Sequence, residues 1–133
     1  MLPFWETRIL LVETNETTIR LIEKTLSESR IPHFLRWVRN QKDLEFELRF
    51  NQPDILITGR NMQGFDAMDI IREVKKANLS ITTLVIAGDR NQEKDIPLAL
   101  AGVYEIFPIN ELKYLVKEIG FLADQIRETK LQA

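Results

Sequence analysis

Short apolar runs alternate along the chain with longer segments in which apolar residues recur every three or four positions. The runs are rich in β-branched residues and several are unbroken, which is typical of strands buried on both faces of a parallel sheet. The longer segments have the period of an amphipathic helix. Strands are predicted at residues 9–12, 33–38, 55–58, 83–87 and 104–107. Helices are predicted to begin near Asn15, Asn40, Ala67, Ile96 and Asn110.

These elements form five consecutive βα units with no internal repeat or linker. Parallel strands joined by right-handed helical crossovers predict an α/β fold, a doubly wound sandwich with helices on both faces of the sheet. For five units we expect a flavodoxin-like (βα)5 arrangement, with a five-stranded parallel sheet of order 2-1-3-4-5. Binding sites in such folds lie beyond the carboxyl ends of the strands. The positions concerned are residues 13–14, 59–64, 87–88 and 107–108.

We expect one domain with a short extension at each end. Residues 8–122 form the predicted domain, residues 1–7 an N-terminal extension, and residues 123–133 a C-terminal extension of the last helix. Apolar positions continue through Leu122 and Ile126 toward Leu131. That spacing suits a helical linker or coiled coil, and equally a fraying tail.

Composition narrows the class of protein. The 133 residues suit one domain, and a formal net charge of -2 gives no general attraction to nucleic acid or to an anionic membrane. Cysteine is absent and His33 is the only histidine, which argues against disulfides and a zinc site. No apolar stretch reaches the roughly 20 residues of a membrane span. We therefore expect a cytoplasmic protein that binds neither nucleic acid nor membranes.

Two segments resemble the receiver domain of bacterial response regulators. Glu13 and Thr14 stand after the first strand, where that family has an acidic pair. Residues 53–67, PDILITGRNMQGFDA, resemble its third strand and loop, in which an aspartate is followed by two residues, Met-Pro, two residues and Asp-Gly. Met62 and Asp66 fall in register with that pattern. The resemblance extends from about Arg8 to Leu122.

The departures from the family pattern fall on its functional positions. The resemblance places Gly59 at the phosphoacceptor aspartate, Thr14 at the second acid, Ala87 at the switch hydroxyl and Phe107 at the lysine. A glycine has no side-chain oxygen, so an acyl phosphate cannot form there. Only Glu13 of the acidic pair remains, and a single carboxylate should bind Mg²⁺ poorly. The chain thus resembles a pseudo-receiver, a degenerate member of the family.

The resemblance implies a non-catalytic signalling module of a two-component phosphorelay system, acting through protein contacts. It implies no enzyme activity and no cofactor, with at most weak Mg²⁺ binding at Glu13. Its partner would be another protein or a linked signalling domain. Receivers commonly dimerise through the face made by the fourth helix, fifth strand and fifth helix. Here that face would contain Ile96, Tyr104, Ile106, Leu112, Leu115 and Ile119.

Two alternatives remain open. A phosphotransfer-competent regulator could use a relocated acid such as Asp66, although a helix N-cap is the simpler role for that residue. A small anion or a flavin phosphate could bind at the hydroxyl-rich turn of Thr14, Thr17 and Thr18, as phosphates do at helix N-termini. Glu13 and Glu16 would repel such a ligand, so helix capping is the simpler account of this turn.

Overall fold

The computed structural model describes residues 6–62, 64–78 and 80–132, so residues 1–5 of the predicted N-terminal extension and Ala133 lie outside it. The strands are β1 (Thr7–Val12), β2 (His33–Val38), β3 (Ile55–Gly59), β4 (Thr82–Ala87) and β5 (Glu105–Pro108). The helices are α1 (Glu16–Ser27), α2 (Gln41–Phe50), α3 (Ala67–Ala77), α4 (Gln92–Leu100) and α5 (Leu112–Gln132). All strand pairs are parallel and the sheet order is β2-β1-β3-β4-β5, which confirms the predicted flavodoxin-like fold.

The apolar runs place buried side chains on both faces of the sheet. Successive strand residues point to opposite faces, so Ile9 and Leu11 pack under α1 and α5 while Leu10 and Val12 pack under α2 and α3. Each of these side chains is at most 2% exposed. Full burial of such a side chain contributes about 1.5–3 kcal/mol, which explains why unbroken apolar runs form the strands here.

A polar side chain begins each of four helices. Asn15, Asn40, Asp66 and Asn91 accept hydrogen bonds from backbone N–H groups three residues on, at 2.8 to 3.2 Å. Such caps stabilise a helix by about 1 kcal/mol each. Asp66 also belongs to a reciprocal capping box with Asp69, so its predicted role as a helix N-cap is confirmed.

Several predicted boundaries differ from the structure, and the largest difference is at α4. Helix α4 begins at Gln92 rather than near Ile96, because the Asn91 cap starts it directly after the loop. Strand β1 begins at Thr7, two residues before its predicted start. Thr7 pairs with His33 and is buried.

Three residues of the predicted interaction face belong to the hydrophobic core instead. Leu112, Leu115 and Ile119 are 8%, 1% and 0% exposed and pack against α1 and the sheet. They occur at helical spacing on the inner side of α5, and burying that side is what holds the helix on the sheet. A partner cannot contact them in this fold.

Helix α5 continues to Gln132 and stays close to the domain over the predicted C-terminal extension. Ile126 packs against the core, and the Lys130 ammonium lies 3.2 Å from a carboxylate oxygen of Asp54. Asp54 also accepts a hydrogen bond from the backbone N–H of Arg8, so it is a structural residue at the amino end of β3. None of the helices in the described ranges has the length and apolar character of a membrane span.

Candidate functional site

The carboxyl ends of β1, β3 and β4 lie side by side at one end of the sheet and surround a shallow depression of about 220 Å³. Because the strands are parallel, the residues that follow them reach the same edge. The structure brings Glu13, Gly59 and Ala87 together there. The other lining residues are Thr18, Arg60, Asn61, Ile86, Gly88 and Ile109.

The Glu13 carboxylate lies over Gly59. A Cβ atom built on Gly59 would stand 2.9 Å from Glu13 Oε1, closer than real Cβ contacts come. The same Cβ would be 3.5 Å from Met62 Cγ. Glu13 therefore uses the space that a side chain at position 59 would otherwise occupy, and the glycine is what permits this approach.

Hydrogen bonds to the following backbone hold Glu13 in this position. Its Oε2 accepts from the N–H of Thr14 at 2.7 Å and from the N–H of Asn15 at 3.2 Å. The residue is only 9% exposed, and it lies just before the N-terminus of α1, where the helix dipole favours negative charge. These contacts support the structural role, and they use the amide donors that an anion at this turn would need.

Two predicted site residues lie elsewhere. Phe107 is 2% exposed and its ring packs in the core beneath α1 and α5, so it does not line the depression. Thr14 is also absent from the lining, and Thr18 contributes a hydroxyl-bearing side chain there instead. Ala87 is in place but offers only a methyl group. The depression thus contains neither a hydroxyl at the end of β4 nor a cation at the end of β5.

Arg60 is the residue that sequence reasoning missed. It follows β3 directly, and its side chain is 4% exposed. One guanidinium nitrogen lies 2.9 Å from Asp95 Oδ1 and also donates to the backbone oxygen of Asp89 at 2.9 Å. The other nitrogen pairs with the Asp89 carboxylate. Burial lowers the pKa of Arg60, but the hydrogen bonds and charges of Asp95 and Asp89 outweigh it and raise the pKa above its usual value.

Through these contacts Arg60 ties the end of β3 to the β4–α4 loop and to the first turn of α4. Asp95 lies in that turn and also accepts from the Asn91 N–H at 3.1 Å, so one carboxylate serves both the cap and the ion pair. The available sequence signal was a basic residue immediately after a buried strand, with acids at positions 89 and 95 after the next strand. Charge sign alone could not show that these residues meet.

Glu13 is the one carboxylate that lines the depression among the described residues. In the part of the chain that the structure describes, no three His, Cys, Asp or Glu side chains converge as a candidate metal site. Mg²⁺ prefers an octahedral shell with one or two protein carboxylates. The Glu13 carboxylate accepts hydrogen bonds from backbone N–H groups, and the Asp89 and Asp95 carboxylates form ion pairs with Arg60.

A second concavity of about 550 Å³ separates α4 from β5. Its rim exposes Ile96 and Tyr104, which are 56% and 47% exposed, whereas Ile106 is half-buried. Tyr104 donates a 2.6 Å hydrogen bond to Glu118 on α5, and this bond raises the pKa of Tyr104. Burial, and then the charge of Glu118, raise the pKa of Glu105. The groove therefore combines exposed apolar side chains with an acidic border.

No family model and no curated protein sequence matches the chain. Solved structures do. The phosphorylated cyanobacterial phytochrome response regulator RcpA is 24% identical with a TM-score of 0.73, over 86% of this chain and 91% of that one. A response regulator receiver domain protein from Clostridium thermocellum is 19% identical with a TM-score of 0.76, over 96% and 99%. A response regulator from Thermotoga maritima is 15% identical with a TM-score of 0.78, over 90% and 99%. At these identities the likeness establishes the fold: the chain has the fold of response-regulator receiver domains.

Proposed function

We propose that the chain is a non-catalytic, receiver-like signalling module that acts by protein contacts and not by aspartyl phosphorylation. The observation that carries this proposal is the position of Glu13 over Gly59, 2.9 Å from where a Cβ would stand. A phosphoacceptor would need a carboxylate on that residue and room for a phosphoryl group beside it. Here the residue has no side chain, and a neighbouring carboxylate fills the space.

The positions that would assist phosphoryl transfer also support a non-catalytic role. Transfer to a carboxylate is assisted by Mg²⁺, a hydroxyl and a cation that together stabilise the phosphoryl oxygens. Ala87 has no hydroxyl, and Phe107 is a core residue without charge. Arg60 is the one cation lining the depression among the described residues, and two aspartates hold it.

Arg60 also suggests how such a module works without a covalent trigger. Its ion pairs join the end of β3 to the β4–α4 loop and to the first turn of α4. Beside them lies the groove of Ile96 and Tyr104, which is the surface offered to a partner protein or to a linked domain. A partner that prefers this arrangement of the loop and α4 would bind the domain directly, because the domain already has that conformation. No phosphorylation would be needed to shift the population toward it. We place the module in the cytoplasm, with no cofactor and at most weak Mg²⁺ binding at Glu13.

The direct test is treatment of the whole chain with a small phosphoryl donor, acetyl phosphate, in the presence of Mg²⁺. We expect no phosphoryl adduct by intact-protein mass spectrometry, while an active receiver domain in the same reaction becomes labelled. A phosphoryl adduct that hydroxylamine removes, as it removes an acyl phosphate, would contradict the proposal. If one formed, loss of the adduct in Asp66→Asn would assign it to a relocated acceptor.

A further inference from the structure

Strand β2 forms an edge of the sheet, and its outer side has no neighbouring strand within residues 6–62, 64–78 and 80–132. It is six residues long, HFLRWV, and contains no proline. The opposite edge differs, because β5 has four residues and ends in Pro108, with a charge at Glu105. Short length, charge and proline protect an edge against further pairing, and β2 has little of this protection.

The hydrogen bonds of β2 determine which backbone groups face outward. Thr7 N–H donates to Pro32 O and Glu13 N–H donates to Val38 O, both at 3.1 Å, so the even-numbered residues of this segment point toward β1. A strand residue directs its N–H and C=O to the same side, and successive residues alternate. The N–H and C=O groups of the odd-numbered residues therefore point away from the sheet. They belong to His33, Leu35 and Trp37.

Aromatic side chains are exposed on β2 and on the helix that follows it, α2. Phe34 and Trp37 are 48% and 44% exposed, on opposite faces of the sheet. On α2, Phe46 and Phe50 are 54% and 62% exposed and their rings are 4.9 Å apart. Where α2 borders α3 it carries Glu45, Leu48 and Arg49, so these two rings lie outside that face of the helix.

The one charged residue within β2 forms an ion pair inside the domain, although its side chain is 48% exposed. Arg36 lies 2.6 Å from Glu47 Oε1, whose side chain is 6% exposed. The edge therefore presents unpaired backbone groups and aromatic rings without an uncompensated charge in the strand. An edge of this kind is suited to β-strand addition, in which main-chain hydrogen bonds provide the affinity.

We propose that the β2 edges of two copies of this chain pair antiparallel, which joins two sheets into one continuous sheet across a two-fold axis. With the axis at Leu35, this residue faces its own copy and His33 faces Trp37 of the second copy, so every outward backbone group is paired. Phe34 then lies opposite Arg36. With the axis at Arg36, two guanidinium groups would face each other at the closest cross-strand spacing, which is unfavourable. The Leu35-centred register therefore pairs every outward backbone group and keeps the two Arg36 side chains apart.

Two variants at Trp37 separate backbone pairing from side-chain contact. Trp37→Pro removes an outward N–H without removing a bond to β1, whereas Trp37→Ala keeps that N–H. By sedimentation equilibrium over micromolar to millimolar concentrations, we expect a wild-type dimer, a modest weakening in Trp37→Ala, and a further loss of at least about tenfold in Trp37→Pro. Phe121→Lys, an exposed position on α5, should dimerise like the wild type.

A cysteine cross-link tests the register independently of the proline. The chain has no cysteine, and Leu35→Cys would place two thiols opposite each other with Cα atoms about 5.5 Å apart, within disulfide range. We expect rapid oxidation of Leu35→Cys to a covalent dimer and slow oxidation of Ile96→Cys. A monomeric wild type at every concentration would overturn the proposal. So would equal dimerisation of Trp37→Pro and Trp37→Ala, or faster cross-linking through Ile96→Cys.

Discussion

Replacing Arg60 by methionine is expected to lower the free energy of unfolding by about 2 kcal/mol and to loosen α4. Methionine keeps most of the apolar stem but removes the charge that joins β3 to Asp89 and Asp95. Removing one partner of a fully buried ion pair costs about 3–5 kcal/mol. The cost is smaller here because Asp89 is 67% exposed and can be rehydrated, while Asp95 is 23% exposed.

Hydrogen exchange measures the local part of this effect. Amide protection in α4, residues 92–100, should fall more than protection in α1 or α3. The reason is that α4 is the helix that loses an ion pair with Arg60. Asp89→Asn is the matched control, since it removes one exposed charge and leaves the Arg60–Asp95 contact intact. We expect a much smaller change in that variant. Unchanged α4 protection in Arg60→Met would show that these ion pairs do not hold the helix.

Gly59→Asp places an aspartate at the position that corresponds to the phosphoacceptor of receiver domains. We expect this change to destabilise the protein and to leave it without efficient phosphorylation. The new Cβ would stand 2.9 Å from Glu13 Oε1, so Glu13 must move and two carboxylates must share one buried site. We expect a loss of about 2–3 kcal/mol at neutral pH. Phosphorylation still fails because Thr14, Ala87 and Phe107 are unchanged. Efficient Mg²⁺-dependent labelling of this single variant would contradict the account.

The destabilisation should depend on pH in a defined direction. Glu13 raises the pKa of the introduced carboxyl group in the folded state above its unfolded value of about 3.9. The penalty is therefore absent below that value and appears as the pH rises through the folded pKa. Gly59→Asn, with similar shape and no charge, is the control. Chemical unfolding should give similar stabilities for the two variants near about pH 3 and a lower stability for Gly59→Asp at neutral pH. Adding Glu13→Gln should remove most of the difference.

The fold was predictable from the sequence because local patterns and burial agree. An unbroken apolar run such as residues 9–12 is buried on both sides only between two layers of helices, and five βα units restrict the topology strongly. Asp66 was identified as an N-cap from its position before an apolar helical pattern. The error at α4 arose because its first turn is polar, so the apolar pattern became visible only at Ile96.

The site was predictable only in part. The parallel topology brings Glu13, Gly59 and Ala87 to one edge, as expected from their places after three strands. The interaction face was wrong at Leu112, Leu115 and Ile119, because a resemblance identifies an element but not which of its sides is buried. The Arg60 ion pairs join residues 29 and 35 positions apart, and no local pattern indicates contacts over such separations.

The absence of a working phosphoryl site is the central claim, and an amide NMR titration tests it most directly. The whole chain is titrated first with Mg²⁺ and then with beryllofluoride, which mimics a phosphoryl group on an aspartate. We predict no saturable shifts for the amides of Glu13, Gly59 and Ala87, and no change in α4. Saturable shifts clustered at these residues would contradict the account, since they would mean that the depression still binds the metal and the phosphoryl mimic.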